Sequence, residues 1–96
     1  MLLEYLHSQK AAIDAMAFRY GARRIRVFGS VARGQELPES DVDFLVDFPP
    51  GYDLFAQRLP LAEALSELIG RKVDLVPEHE LNRYIRQQVL DEAVDL

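Results

Sequence analysis

The sequence contains no cysteine, so it can form neither a disulfide framework nor a thiolate metal site. It also lacks any apolar run approaching the ~20 residues that a transmembrane helix needs. Residues 1–7 have neither the basic flank nor the continuous apolar core of a signal peptide. These absences predict a cytoplasmic protein without a membrane span.

Positive charge is also scarce, because 11 Lys and Arg residues face 16 Asp and Glu residues and give a formal net charge of −5. An acidic surface opposes the broad attraction that binds long nucleic acids, although arginines cluster locally at residues 23–26 and 83–86. We therefore expect no direct nucleic-acid substrate, whereas a nucleotide carrying magnesium remains compatible. A chain of 96 residues, 49% of them hydrophobic, predicts one small domain over residues 1–96.

Hydrophobic periodicity predicts three long helices, at residues 2–20, 54–69 and 80–93, and three strands, at residues 24–28, 41–48 and 72–76. A single helical turn is predicted at residues 31–33. Helices that interleave with strands indicate an α/β (α+β) fold, with a small mixed β-sheet and flanking helices. The first two strands, which have a short connection, most simply lie antiparallel.

Alternation and helical spacing also predict which apolar residues share a face of a strand or helix. One face of the second strand is apolar, with Val42, Phe44, Val46 and Phe48. The last helix is expected to bury Leu81, Tyr84, Ile85 and Val89. Some apolar residues are instead expected to be exposed and available to a partner: Phe48, Tyr52 and Phe55.

Two carboxylates, Asp41 and Asp43, lie two residues apart on the second strand. Same-face neighbours on a strand are roughly 6.5–7 Å apart, so both side chains could converge on one divalent cation or on a pair of them. The alternative is a strand end that meets water, where acidic residues are harmless. The doublet alone does not decide between these two interpretations.

A third carboxylate, Asp74, interrupts an otherwise apolar strand, where aspartate has a poor propensity. If that strand neighbours the second one, three carboxylates could meet at one point. Such a cluster suits two-metal catalysis, in which the ions activate a nucleophile and stabilise the leaving oxygen. The alternative is an exposed position on an edge strand.

Gly29 and Ser30 directly follow the first strand. Glycine tolerates unusual dihedral angles and the close approach of a phosphate, and the Ser30 hydroxyl could add a donor. A Gly-Ser pair alone is usually only a turn. Its order and spacing relative to the acidic residues are what make it informative.

Gly29-Ser30, ten intervening residues and then Asp41-Val42-Asp43 resemble the signature of the DNA polymerase β-like nucleotidyltransferase superfamily. Asp74 stands where that superfamily places its third carboxylate. The wider segments, residues 29–46 and 70–76, resemble the minimal nucleotidyltransferase (MNT) proteins in particular. The resemblance covers the chain from its first helix to its last.

The resemblance implies a role for each motif residue. Asp41 and Asp43 would hold Mg²⁺, with two ions expected, and Asp74 would complete this metal and catalytic site beside the incoming hydroxyl. Gly29 and Ser30 would hold the β- and γ-phosphates of ATP. A further residue, Arg33, could reach the triphosphate, or it could form a structural ion pair with Glu36 or Asp41.

MNT proteins of this kind are paired with a HEPN-domain ribonuclease in toxin–antitoxin modules. The resemblance implies that this chain is the antitoxin, a protein adenylyltransferase that transfers AMP from ATP to a tyrosine of the toxin. The chain ends soon after one helix beyond Asp74, so we expect another molecule to bring the acceptor. A non-catalytic antitoxin that inhibits by binding, and a small-molecule nucleotidyltransferase subunit, are the alternatives.

Overall fold

The computed structural model describes residues 2–96. Within that range there are five α-helices: α1 (Leu2–Ser8), α2 (Lys10–Arg19), α3 (Gly29–Ala32), α4 (Leu59–Ile69) and α5 (Arg83–Glu92). Four strands form one sheet: β1 (Ile25–Phe28), β2 (Val42–Val46), β3 (Val73–Pro77) and β4 (Val94–Asp95). A π-helical turn, Leu54–Arg58, precedes α4, and a 3₁₀ turn, Glu78–Glu80, precedes α5. The predicted fold class is confirmed.

The sheet has the strand order β3-β2-β1-β4 and is mixed. β1 and β2 are antiparallel, as their short connection predicts, whereas β2 and β3 are parallel because α4 crosses between them. The two-residue strand β4 is too short to show alternation and is not predicted. It pairs antiparallel with β1 and is tied to it by a 2.6 Å ion pair between Arg24 and Asp95.

The core lies on one face of the sheet, under the helices. The apolar face of the second strand is buried in full: Val42, Phe44, Val46 and Phe48. Leu61 and Leu65 of α4 and Ile13 of α2 pack in the same cluster. Because alternate residues of β2 point away from this core, Asp43 is directed to the opposite face of the sheet.

Several predicted boundaries are wrong by a few residues. The single helix at 2–20 is two helices, because the chain turns at Gln9, which has φ −99° and ψ 11°. α5 begins at Arg83 and not near residue 80, because the Asn82 side chain accepts the Tyr84 N–H at 2.8 Å and caps the helix. By contrast, Pro60 lies in the first turn of α4, as predicted.

Two burial predictions for α5 are also wrong. Tyr84 is 79% exposed and Ile85 is 48% exposed, whereas Val89 is the one buried residue of this helix. Phe48, predicted to be exposed, is buried and stacks on Tyr52, with 4.8 Å between the ring centroids. Within residues 2–96, no helix is both long enough and apolar enough to cross a membrane.

Candidate active site

The sheet register brings the acidic residues of two strands together. Asp43 of β2 is the register partner of Asp74 on β3 and of Phe28 on β1. Adjacent strands lie about 4.8 Å apart, so Asp43 stands between Asp74 and the end of β1. Asp41 immediately precedes β2, two residues before Asp43, and side-chain alternation directs both to the same face. All three predicted carboxylates therefore lie at one end of the sheet.

The carboxylates of this group repel one another. The pKa of Asp43 is raised, first by its burial and then by the negative charges of Asp74 and Asp41. Asp41 and Asp43 are half-buried, whereas Asp74 is exposed on the edge strand. Ionised Asp43 is thus an electrostatic cost to the fold, of the kind that a bound divalent cation offsets.

Carboxylate oxygens are the hard ligands that Mg²⁺ prefers, so the donor chemistry fits this ion. In residues 2–96, however, no three His, Cys, Asp or Glu side chains are close enough to one another to hold a metal. The backbone gathers Asp41, Asp43 and Asp74, but their side chains do not converge. Their role as Mg²⁺ ligands stays a prediction.

Gly29 lies against the carboxylate of Asp43 at the point where β1 becomes α3. Its φ is +73°, a left-handed conformation that glycine adopts without strain, and a Cβ atom there would collide with the Asp43 side chain. The next residue, Ser30, begins the turn that the Gln35 N–H closes by donating to the Ser30 carbonyl at 2.8 Å. The predicted phosphate-binding segment and the predicted metal ligand are therefore in direct contact.

Arg33 does not pair with either acidic residue suggested by the sequence. Its Nη1 donates to Glu92 Oε2 at 2.9 Å, and its Nε donates to Gln35 Oε1 at 3.1 Å. The predicted partners, Glu36 and Asp41, are wrong, although a structural ion pair does form. The other oxygen of the same carboxylate, Glu92 Oε1, accepts the Gly29 N–H at 3.0 Å. Glu92 was not identified from the sequence, because only the return of α5 to the sheet brings it there.

A second unpredicted residue supports the segment before Asp41. Arg71 Nη1 donates to the carbonyl of Leu37 at 3.1 Å and to that of Ser40 at 3.3 Å. The backbone of Val42, the residue after Asp41, is also fixed, because its N–H donates to the Lys72 carbonyl at 2.9 Å. Arg71 therefore sets the path of the chain that delivers Asp41 and Asp43. Arg71 lies within residues 70–76, which resemble the MNT proteins, but the sequence does not indicate this supporting role.

A concavity of the surface lies away from these residues. A cavity of about 360 Å³ is lined by residues of α2 and β1 together with Asp95, and none of the acidic, glycine or serine residues of the site contributes to it. Its wall is polar and includes Lys10 and Arg24. This concavity is therefore separate from the candidate site.

Comparison with known proteins gives the family. Residues 10–96 match the family model for the nucleotidyltransferase domain. Protein adenylyltransferase MntA of Thermococcus cleftensis is 45% identical over 76 residues, which span 79% of this chain and 76% of that protein.

Solved structures of similar fold support the same family. One described as a candidate minimal nucleotidyltransferase has a TM-score of 0.86 and 45% identity and covers 100% of this chain and 97% of its own. A toxin–antitoxin crystal structure with AMP-PNP has a TM-score of 0.75 and 26% identity and covers 90% of this chain and 70% of its own. The matched residues include the segment from Gly29 to Asp43 and the strand of Asp74, so this chain belongs to the nucleotidyltransferase domain family, among its minimal members.

Proposed function

We propose that this chain is the antitoxin of a HEPN/MNT toxin–antitoxin pair and acts as a protein adenylyltransferase. It transfers AMP from ATP to a tyrosine of the toxin and releases pyrophosphate. The observation that carries this proposal is the contact of Gly29 with Asp43, beside Asp74, because it joins a phosphate-binding turn to a pair of carboxylates. The likeness to MntA and to a complex with AMP-PNP supports it.

The chemistry of each residue suggests its role in this reaction. The Gly29 N–H and the Ser30 hydroxyl would donate to the β- and γ-phosphates, and Arg33 would add a positive charge. Asp41, Asp43 and Asp74 would hold Mg²⁺, which, when bound, neutralises charge on the triphosphate and on the leaving pyrophosphate. This arrangement would supply rate mainly through positioning and charge stabilisation.

Asp74 is the residue that the acceptor can approach, because it is exposed on the edge strand β3. Its carboxylate would accept the proton of the tyrosine hydroxyl as that oxygen attacks the α-phosphorus. A new phosphorus–oxygen bond to tyrosine forms as the bond between the α-phosphorus and its bridging oxygen breaks, and the electron pair leaves with pyrophosphate. The products are AMP-tyrosine and diphosphate.

A protein partner is supported by exposed apolar side chains near α4. Phe55 of the π-helical turn is 77% exposed, and its neighbours Leu54 and Leu59 are also exposed. Such a cluster on a small chain is typical of a protein-binding surface. Because the reaction uses ATP as substrate and Mg²⁺ as cofactor, we place it in the cytoplasm.

The test combines this chain with Mg²⁺, ATP labelled at its α-phosphate and the HEPN protein encoded beside it. We expect label on a toxin tyrosine and loss of ribonuclease activity. The double variant Asp41→Asn with Asp43→Asn should transfer no label, while the double variant Glu63→Gln with Glu67→Gln, which removes two exposed charges from α4, serves as the charge-matched control.

The remaining outcomes separate the alternatives. Inhibition of the ribonuclease without label transfer would contradict the enzymatic proposal and favour an antitoxin that acts by binding. Label on an added small-molecule acceptor, with none on protein, would favour a small-molecule nucleotidyltransferase. Undiminished labelling by the double variant would show that the site is assigned wrongly.

A further inference from the structure

One carboxylate of this chain already occupies the donors assigned to the triphosphate. Glu92 Oε1 accepts the Gly29 N–H at 3.0 Å and Glu92 Oε2 accepts Arg33 Nη1 at 2.9 Å. Both bonds are charge-assisted, the class of hydrogen bond that is about twice as strong as a neutral one. The Glu92 side chain is largely buried, with 19% of its surface exposed, so water competes poorly for it.

We infer that Glu92 competes with the triphosphate for Gly29 and Arg33 and thereby sets the affinity of the site for nucleotide. This inference rests on the proposed function, because it takes those two residues as triphosphate ligands. A single N–H group cannot serve two anions at full strength, and a phosphate beside an ionised carboxylate is repelled. Nucleotide binding therefore requires the Glu92 side chain to leave.

The position of Glu92 makes that departure feasible without unfolding. It is the last residue of α5, so a change of rotamer frees its carboxylate while the helix stays intact. Arg33 keeps a partner in Gln35 when Glu92 leaves, and its guanidinium remains near the turn. The start of α5 is held independently, by Arg86 Nη1 donating to the Glu78 carbonyl at 2.8 Å.

Glu92 also adds to the negative charge around Asp43. After burial, Asp74 and Asp41, it is one of the further charges that raise the pKa of Asp43. Removing its charge should thus favour both an incoming triphosphate and an ionised Asp43. If Glu92 instead served to position Arg33 for the phosphates, removing its charge would weaken triphosphate binding.

The experiment is isothermal titration of the purified chain with Mg·ATP and, separately, with magnesium tripolyphosphate. Glu92→Gln is the test variant, since it keeps the shape of the side chain and removes its charge. Asp91→Asn is the matched control, because Asp91 lies next to Glu92 on α5 and its side chain accepts from Gln87 Nε2 at 2.7 Å, away from Gly29 and Arg33. Glu92→Asp, which keeps the charge on a shorter side chain, is a second test variant.

We expect Glu92→Gln to bind both ligands roughly tenfold more tightly than the wild type, the ratio set by the loss of one charge-assisted competitor. Glu92→Asp should also bind more tightly, and Asp91→Asn should stay within about twofold of the wild type, as expected for a surface charge. Melting curves for each variant establish that it is folded.

Equal or weaker binding by folded Glu92→Gln, beside measurable binding by the wild type, would overturn this inference and leave the proposed function standing. An equal gain in Asp91→Asn would also overturn it, since the effect would then come from general charge. If neither the wild type nor Glu92→Gln bound Mg·ATP, both the inference and the proposed function would fall.

Discussion

Asp43 and Asp74 are register partners on adjacent parallel strands, and the backbone of Gly29 lies against the Asp43 carboxylate. A residue of the interior strand β2 thus lies against the proposed phosphate-binding turn on one side and beside the edge-strand residue Asp74 on the other. This central position explains why the pKa of Asp43 is raised by burial and by its acidic neighbours. It also makes Asp43 the residue at which the proposed function and stability oppose each other.

Asp43→Asn should raise the melting temperature of the metal-free protein while abolishing AMP transfer. The raised pKa means that the folded state binds more protons than the unfolded state as pH rises above the usual aspartate range, so the wild type loses stability through that window. The stabilisation by Asp43→Asn should therefore be larger at pH 7 than at pH 4. Thermal melts at the two pH values measure this difference.

Magnesium supplies the control for that prediction. Adding Mg²⁺ should raise the melting temperature of the wild type more than that of Asp43→Asn, because a ligand stabilises only the state that binds it. Equal shifts in both proteins would contradict the assignment of Asp43 as a metal ligand.

Gly29→Ala should destabilise the protein more than Gly51→Ala does. Both glycines have positive φ, +73° and +85°, so each substitution incurs left-handed strain of about 1–2 kcal/mol. An added Cβ at Gly51 meets nothing within 4 Å, whereas at Gly29 it collides with Asp43. Urea denaturation gives the two free energies of unfolding. Label transfer should be lost only in Gly29→Ala, and similar losses of stability would refute the close contact.

Arg71→Ala should impair catalysis by loosening the segment that precedes Asp41. The substitution removes the donor to the Leu37 and Ser40 carbonyls, and changes of this kind around a metal site cost roughly tenfold or more in activity or metal affinity. The Mg²⁺ concentration for half-maximal label transfer should rise. Lys72→Ala, an exposed neighbour of equal charge, is the control. A lower melting temperature with an unchanged Mg²⁺ requirement would restrict Arg71 to a structural role.

Asp95→Asn should destabilise the protein at neutral pH and have little effect in acid. The hydrogen bonds from Arg24 lower the pKa of Asp95, so its contribution is present above the usual aspartate pKa and is lost as pH falls below about 4. The pair is exposed, so the effect should be small. Melting temperatures at pH 7 and pH 3 measure it, and a constant difference between variant and wild type would contradict the assignment.

The sequence predicts periodic helices and strands well. It predicts poorly the contacts that form where the chain folds back on itself. Alternation on the second strand identifies its buried face, and helical spacing identifies α4, whose first turn contains Pro60 as predicted. The strand β4 and the contact of Glu92 with Gly29 leave no local pattern, because each depends on the chain folding back after α5. The exposure of Tyr84 is missed for a related reason, since helical spacing shows which residues share a face but not what covers that face.

The motif of the site is a property of the sequence alone. Gly29, Ser30, Asp41, Asp43 and Asp74 are recognisable from residue type and spacing, because together they resemble the nucleotidyltransferase signature. Their roles in phosphate and metal binding stay predictions. Only the tertiary structure decides which charges face these residues. The parallel crossover makes Asp43 and Asp74 neighbours, and the return of α5 sets Glu92 on the proposed phosphate donors. Those relationships depend on register and packing over long separations, which local sequence patterns do not encode.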